Sequence, residues 1–357
     1  MAYTNIDDPS AYFQTVLWTG DGTAGNAVTF DGNSDMQPDF VWSKRRDSAT
    51  SHVLKDTSRG GTSDNDLHLV SDLTQAESTY AQYRMDFDSD GFTLDGVGDS
   101  GFQGIGTSMV SWAWKCNGGT TSSNTDGSIT STVQANQDAG FSIITYTGNG
   151  TAGATFGHGL GVAPSMVIVK KRSATPLADS WGVWHQGLTS AAYNLLLNTN
   201  AAESNSWNVW NSTEPTSSVI TVSNDSTGNY NGQPYVAYAF AEKQGFSKFG
   251  SYVGNGNANG TFVYTGFKPA WVMTKEVNAA GSWVIYDNKR DTFNPETKLL
   301  SAEASSAEST FTQYDFVSNG FKFRTSGSEN SSGNTHIYMA FAENPFTTST
   351  GIPTTAR

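Results

Sequence analysis

Apolar and polar residues alternate with a period of two in short runs along this chain. The run 141–147 (FSIITYT) places Phe and Ile side chains on both faces, and a glycine turn (148–150, GNG) follows it. A second apolar run, 166–169 (MVIV), ends at a basic cluster. Short runs that are bounded by turn residues and rich in β-branched side chains predict buried β-strands rather than helices.

The same order of elements occurs three times. Each copy opens on a strand led by Phe, passes through a glycine turn and an apolar run, contains an Ala-Glu pair and closes on an aromatic strand. The copies begin at Phe13, Phe141 and Phe249. This period is too long for a solenoid repeat or a propeller blade, so each copy is predicted to be a whole small domain.

The chain of 357 residues is therefore expected to form three domains. Each copy, of about 100 residues, is long enough to bury its own core. The strand spacing predicts an all-β fold of three tandem β-sandwich domains with jelly-roll-like topology, and an immunoglobulin-like order is the alternative. The predicted organisation is an N-terminal docking segment or disordered tail (1–12), repeat 1 (13–115), a Gly/Ser/Thr-rich linker (116–140), repeat 2 (141–243), repeat 3 (249–346) and a polar tail (347–357).

The linker is expected to be flexible unless it is docked, and 128–133 could pair as an edge strand. Few residues are charged (15%) and many are aromatic (12%), which favours strands and turns over a helical enzyme. The net charge of −13 argues against nucleic-acid binding. Cys116 is the single cysteine, so no internal disulfide is possible. We expect no export signal and no membrane insertion, because no apolar run is long enough.

Charged clusters recur between the copies and are interpreted as structural. The basic cluster 44–46 (KRR) returns as 170–172 (KKR), which indicates a strand end or edge where charge blocks unwanted pairing; phosphate binding is the alternative. Glu77, Glu203 and Glu308 also match one another. A residue that occurs in all three domains is expected to fix the fold, although a glycosidase carboxylate pair is the other interpretation.

The sequence predicts no catalytic residue, no metal site and no cofactor. The motif D-x-D-x-D-G at 86–91 opens like a calcium loop, but its twelfth position is Val97 instead of an acid, so a hairpin turn is favoured over calcium. The five histidines have no metal-binding spacing, and neither a G-x-S-x-G elbow nor a P-loop occurs.

The tryptophans divide by the same internal comparison. Trp181 matches Trp283, so these two are expected in the core. Trp207 and Trp210 have no counterpart and lie among Asn and Ser, which suits stacking on a sugar. We predict these two as ligand-binding residues, with a domain contact as the alternative.

Several longer stretches resemble a known family. They are IDDPSAYFQ, the T-G-N-G turns, HGLGVAPSMVIVKKR, FGSYVGNGNANGTFVYTGFKPAWVM and YMAFAENPF. The family is a repeat family of unassigned function found in virion proteins of marine bacteriophages, usually tail-fibre-like or minor structural proteins. The resemblance covers Ile6 to Phe346 and brings no catalytic residues. Repeat 1 departs from its sister copies at His52 and Lys55, which replace aromatics, and this departure suggests an adaptation to docking.

The resemblance implies a non-enzymatic bacteriophage virion structural protein. We expect a tail fibre or receptor-binding adhesin, a homotrimer that contacts host surface glycan and attaches to other virion proteins through its N-terminal segment. The alternative is a capsid decoration or head-fibre protein, and a polysaccharide-degrading tail enzyme is a distant third. Virions are released by lysis, which agrees with the lack of an export signal.

Overall fold

The computed structural model describes residues 2–60, 67–98, 101–176 and 178–354. Strands account for 42% of the chain and helices for 5%, so the predicted all-β class is confirmed. Within these ranges, no helix has the length and apolar character needed to cross a bilayer. Met1 of the predicted docking segment and 355–357 of the predicted tail lie outside the described residues.

Segment 1 (13–115) pairs its first strand with its last. Its main sheet has the order β1-β9-β3-β4, and a smaller sheet has the order β2-β8-β7. A short helix, α1 (Thr57–Gly60), follows β4, and 3-10 turns cover Pro9–Ala11 and Ala81–Tyr83. The strands are β1 (Phe13–Thr19), β2 (Asn26–Val28), β3 (Phe40–Arg45), β4 (Val53–Asp56), β5 (Leu67–His68), β6 (Ser78–Thr79), β7 (Met85–Asp88), β8 (Gly91–Leu94) and β9 (Ser108–Trp114).

Segment 2 (141–243) incorporates the predicted linker into its sheet. The main sheet has the order β10-β11-β12-β18-β14-β15-β16, and β13 pairs with β17. Residues 131–136 of the linker pair with β12 along their whole length, so the linker is docked and a strand forms three residues further on than predicted. It is not an edge strand, because β10 pairs with its other side. The elements are β10 (Ser122–Asn124), β11 (Ser131–Asn136), β12 (Phe141–Thr147), β13 (Ala154–Gly157), β14 (Met166–Lys171), β15 (Trp181–His185), β16 (Leu195–Leu196), β17 (Val219–Val222), α2 (Ser226–Asn229) and β18 (Pro234–Phe240).

Segment 3 (249–346) is one sheet that curls almost into a barrel. Its strand order is β19-β26-β21-β22-β23-β24-β25-β20. A 3-10 turn at Ser328–Asn330 precedes the last strand. The strands are β19 (Ser247–Val253), β20 (Phe262–Tyr264), β21 (Phe267–Glu276), β22 (Val284–Asp287), β23 (Glu296–Ser301), β24 (Ser309–Val317), β25 (Gly320–Phe323) and β26 (Thr335–Pro345).

The central strand of each segment is buried on both faces. In β3, Phe40 and Trp42 point into one hydrophobic cluster, whereas Val41 between them points into another. Successive side chains of a strand point to opposite faces, so this sheet lies between two cores. One core contains Phe92 of β8 and belongs to segment 1 alone. Segments 2 and 3 have comparable clusters of their own.

The other core is shared by all three segments, which corrects the expectation of three self-contained domains. It contains Phe13, Phe141 and Phe249, the residues that open the three copies. Trp114, Phe240 and Phe341 pack against each other, with ring centroids 6.4 Å apart for Trp114–Phe240, 5.6 Å for Trp114–Phe341 and 6.2 Å for Phe240–Phe341. Each of these rings comes from the last strand of a different segment, so the three sheets meet at this point.

The N-terminal segment packs on the body of the protein. Ile6 is buried in the shared core, and the Tyr3 hydroxyl donates to the carbonyl oxygen of Gly266 at 2.6 Å. The Thr4 hydroxyl donates to the carbonyl oxygen of Gln244 at 2.8 Å, and Asp7 accepts the backbone N–H of Ser349 at 2.6 Å. The interpretation of 1–12 as a disordered tail is therefore wrong for the described residues of this segment.

Candidate functional site

Three seams join the segments, and each contains the same backbone hydrogen bond. Seam A lies between segments 1 and 2, seam B between segments 2 and 3, and seam C between segments 3 and 1. A glutamate of one segment donates its N–H to a carbonyl oxygen of the next: Glu77 to Arg172 at 2.9 Å (seam A), Glu203 to Val277 at 2.8 Å (seam B) and Glu308 to Arg46 at 2.8 Å (seam C). Each of the three recurring glutamates therefore lies at a joint between two segments.

A ring N–H crosses each seam beside this bond. At seam A the indole of Trp181 donates to the carbonyl oxygen of Val70 at 2.8 Å. At seam B the indole of Trp283 donates to the carbonyl oxygen of Leu196 at 3.0 Å. The two tryptophans are buried as predicted, but they serve the joints between segments as well as the core.

His52 occupies the matching position at seam C. Its Nε2 lies 3.0 Å from the carbonyl oxygen of Ser301, and its Nδ1 accepts the indole N–H of Trp42 at 2.8 Å. Since Nδ1 accepts, Nε2 carries the proton and donates across the seam. Burial lowers the pKa of His52 to about 3, so the ring stays neutral. The replacement of an aromatic by His52 thus serves an internal contact.

Seam A contains a buried network of opposite charges. The Arg59 Nε lies 2.5 Å from Asp56, and its Nη1 lies 2.7 Å from Glu77. Arg172 of segment 2 reaches the same Glu77 at 2.7 Å. The Tyr238 hydroxyl, also from segment 2, donates to Asp56 at 2.7 Å. Burial lowers the pKa of Arg59, but the nearby Asp56 and Glu77 raise it by more, so the guanidinium stays charged.

Seam C repeats this network with different residues. The Arg290 Nε lies 2.6 Å from Asp287, and its Nη1 lies 3.2 Å from Glu308. Arg46 of segment 1 binds Glu308 at 2.9 Å. The indole of Trp112, also from segment 1, donates to Asp287 at 2.9 Å. Two of the three seams therefore bury a carboxylate pair that is neutralised by one arginine from each side.

Seam B has neutral residues at the corresponding places. His185 pairs with Met166 in the sheet as Asp56 pairs with Phe40, so the histidine takes the place of the aspartate. Its Nε2 lies 3.1 Å from the carbonyl oxygen of Tyr338 in segment 3. Burial lowers the pKa of His185 to about 4. Leu188, in the shared core, stands where the other seams have an arginine.

The recurring lysines are also buried at the seams, which corrects the edge-protection interpretation. Lys44, Lys170 and Lys275 are inaccessible to solvent, and their strands have neighbours on both sides. The Lys170 ammonium donates to the carbonyl oxygen of Thr74 in segment 1 at 2.9 Å. Burial lowers the pKa of each of the three lysines to about 8. These three lysines thus donate to internal carbonyl oxygens.

The structure separates the two predicted ligand-binding tryptophans. Trp210 is 1% exposed and packs in the core of segment 2, whereas Trp207 is 48% exposed. Residues 207–212 form bends and turns instead of a regular helix, so a spacing of three does not place the two rings on one side. Asn211 and Ser212, which follow Trp210, have positive φ. Only Trp207 is accessible to a ligand in this conformation.

The acidic motif 86–91 forms the predicted hairpin. Asp88 pairs with Gly91 between β7 and β8, and Gly91 has a φ of +102° that favours glycine. The Thr93 hydroxyl donates to Asp88 at 2.7 Å. Within the described ranges, no group of three or more His, Cys, Asp or Glu side chains is arranged to hold a metal ion.

These features define an all-β protein in which three segments close around a shared core through buried polar seams. The chain belongs to the family described as a domain of unknown function, DUF7483, whose model matches residues 8–345. The match spans all three segments and all three seams. No curated protein and no solved structure matches the chain.

Proposed function

We propose that this chain is a structural protein of a bacteriophage virion and that its outer surface contacts glycan on the host cell. The resemblance of its sequence motifs to virion proteins of marine phages supports the first part. The exposed aromatic side chains of the outer loops, such as Trp207, support the second. We infer that the protein acts by display and adhesion and not by catalysis.

The observation that carries the proposal is the closed set of three seams. Residues that match between the segments take part in joining them: Glu77, Glu203 and Glu308 do so through the backbone, and Glu77 and Glu308 also through their carboxylates. The buried polar chemistry of the molecule therefore holds one body together. If each chain binds glycan weakly, many copies on one particle would raise the overall binding affinity of the particle.

We also infer that the three segments are copies of one sandwich unit with jelly-roll-like topology. The matched pairing of Phe40 with Trp114, Met166 with Phe240 and Trp271 with Phe341 supports an internal repeat. The seams supply within one chain a threefold arrangement like the one expected of a homotrimer. The homotrimer stays a prediction, and the molar mass in solution tests it against a single chain of 38.2 kDa.

A capsid decoration protein is the second candidate. The packing of the N-terminal segment favours it, because Ile6 and Thr4 contact the chain itself instead of extending as a free arm. A body in which the described N-terminal residues fold back onto the chain suits attachment through its surface. Deletion of 1–12 would also remove core contacts, so it is a poor test of docking.

The position of the chain in an electron-microscopy map of the virion tests the proposal. Density for the chain at the tail tip or fibre supports the adhesin, and density on the capsid shell supports the decoration protein. Absence of the chain from purified virions, measured by mass spectrometry, overturns both.

A further inference from the structure

We propose that the cleft between the loop 291–296 and the ends of β21, β24 and β26 is a binding site for a neutral oligosaccharide. This inference rests on the proposed function and names the site on segment 3 at which host glycan would bind.

The cleft consists of two adjoining cavities. One has a volume of about 400 Å³ and is lined by Phe293 and Glu296, and the other, of about 330 Å³, extends to Asp31 of segment 1. Asn288, Lys289 and Glu343 line both cavities. Each volume lies within the range of about 300–1,000 Å³ that small-molecule sites have. Their continuity suits an extended chain of several sugar rings.

The loop that forms one wall is fixed at both ends. The Asp291 carboxylate accepts the backbone N–H groups of Thr297 at 2.5 Å and Lys298 at 2.7 Å. The Asn294 side chain exchanges two hydrogen bonds with the backbone of Phe316, each of 2.8 Å. A binding loop that is ordered before the ligand arrives loses less entropy on binding.

Phe293 offers an aromatic face to the cleft. Its side chain is 77% exposed, although it sits in a loop that is anchored on both sides. An exposed ring on a fixed loop gives a sugar an apolar surface for its C–H face. Among the aromatic side chains of the described residues Phe293 is the most exposed, so it is well placed to stack on a sugar.

Glu296 lies at the floor of the same cleft. It is 3% exposed, and its Oε2 has no hydrogen-bond partner among the described residues. Buried polar atoms in native proteins are nearly always hydrogen-bonded, so an unpartnered oxygen facing a cavity indicates a missing partner. Sugar hydroxyls both donate and accept, so either form of the carboxyl group could bind them.

The protonation of Glu296 agrees with a neutral ligand. Burial, followed by the charges of Asp291 and Asp287, raises its pKa to about 9, against the opposing effect of Arg290 and Lys268. The carboxyl group is therefore neutral at pH 7 and presents both an O–H donor and a carbonyl acceptor. Such a group matches a hydroxyl pair on a sugar ring.

The charged residues of the cleft are paired with each other. Lys268 lies 2.6 Å from Glu343, and Lys289 lies 2.7 Å from Asp31. Because both lysines already have a carboxylate partner, they do not favour an anionic ligand such as an acidic polysaccharide or a phosphate.

Segment 2 has no acid at the position of Glu296. Leu195 and Leu300 occupy matching positions, because they pair with Val183 and Ile285 in the two sheets. Four residues before each of them stand Ala191 and Glu296. Matching residues join the segments, so a buried acid in segment 3 that segment 2 lacks points to a role outside the common fold.

The test uses the full chain and an array of neutral oligosaccharides built from glucose, galactose, mannose and N-acetylglucosamine, followed by calorimetric titration with the strongest binder. We expect binding, and a loss of about 3- to 10-fold in affinity for Phe293→Ala. Phe311→Ala, which removes a 61% exposed ring of the same segment outside the cleft, is the matched control and should bind as the unchanged chain does.

Glu296 gives a second readout. Glu296→Gln retains a neutral donor and acceptor, so its affinity should stay within about threefold, whereas Glu296→Val should lose about tenfold or more. Thermal unfolding shows whether each variant is folded. If Glu296→Val does not fold, the comparison of Phe293→Ala with Phe311→Ala still tests whether the cleft is the binding site.

Two results overturn the inference: no binding to any member of the array, or equal affinity of the Phe293→Ala and Phe311→Ala chains. Loss of binding in Glu296→Gln together with binding of Ca²⁺ by the unchanged chain would instead identify a cation site. The location of the chain in the virion is measured independently, so a failure of this cleft is distinguishable from a failure of the proposed function.

Discussion

Seams A and B contain the same backbone hydrogen bond between neighbouring segments. They differ in their side chains, because seam A buries a charged network and seam B has neutral residues at the corresponding places. Seam A buries Asp56, Arg59 and Glu77 with Arg172 of the next segment. Seam B has His185 and Leu188 at the corresponding places, and its glutamate accepts the N–H of Thr189 at 3.0 Å instead of binding an arginine. Both retain the glutamate N–H bond to the next segment.

The comparison shows that two segments can join at a seam without buried ion pairs. A buried ion pair loses hydration that its Coulomb attraction only partly recovers, so a hydrophobic replacement of the whole pair is often neutral. Removal of one partner is different, because it leaves an uncompensated charge in the interior. Seams A and C should therefore be sensitive to single substitutions and tolerant of concerted ones.

The largest effect is expected for Arg59→Leu. This change leaves Asp56 and Glu77 buried without their common partner, and it should lower the free energy of unfolding by about 3–5 kcal/mol. Chemical denaturation of the full chain measures it. The control is Lys248→Leu, because Lys248 pairs with Glu242 in a partly exposed position and such pairs contribute at most about 1 kcal/mol. Equal effects of the two changes would contradict the account.

The double variant Asp56→His with Arg59→Leu sharpens the comparison. It installs at seam A the pair that seam B already has, and it leaves Glu77 with Arg172. We expect it to be more stable than Arg59→Leu alone by about 1–3 kcal/mol, since residues in one network couple by this amount. A double variant that is less stable than the single variant would show that the seams are not interchangeable.

Low pH should destabilise the folded chain through His185 of seam B. The pKa of His185 is lowered to about 4, below the ordinary value of about 6.5 that it has when unfolded. Below pH 6.5 the unfolded chain binds a proton that the folded chain does not, so stability falls as pH drops through 6.5 toward 4. Between pH 7 and pH 4.5 the free energy of unfolding should fall by about 2–3 kcal/mol less in His185→Gln than in the unchanged chain. An unchanged pH dependence, measured by denaturation at both pH values, would exclude this role for His185.

The smallest effect is expected for Arg172→Val, which places at seam A the residue type of seam B. Arg172 is partly exposed, and Glu77 keeps Arg59 when Arg172 is removed. The cost should be about 1 kcal/mol, and added salt should reduce it. A cost as large as that of Arg59→Leu would mean that the two arginines act as one buried unit.

The sequence predicted the all-β class well, because alternation with a period of two is a local signal. The match of Glu77, Glu203 and Glu308 indicated a fold feature, and each of them lies at a joint between two segments. The burial of Lys44 and Lys170 could not be predicted from the sequence. The local pattern around a lysine does not show whether its hydrogen-bond partner lies in another segment, as that of Lys170 does. The shared core was missed for the same reason.

The candidate ligand residues were harder to predict than the fold. Trp207 and Trp210 looked equivalent in sequence, but an irregular turn sends one ring outward and the other into the core. Glu296 gave a usable signal only in comparison with Ala191 at the matching position of segment 2. That comparison needs the strand pairing, which the sequence alone does not supply.

Calorimetric unfolding of the full chain tests the central claim, that three segments form one body through a shared core. The account predicts a single transition whose calorimetric and van't Hoff enthalpies agree. Two or three separate transitions, each assignable to one segment, would contradict it.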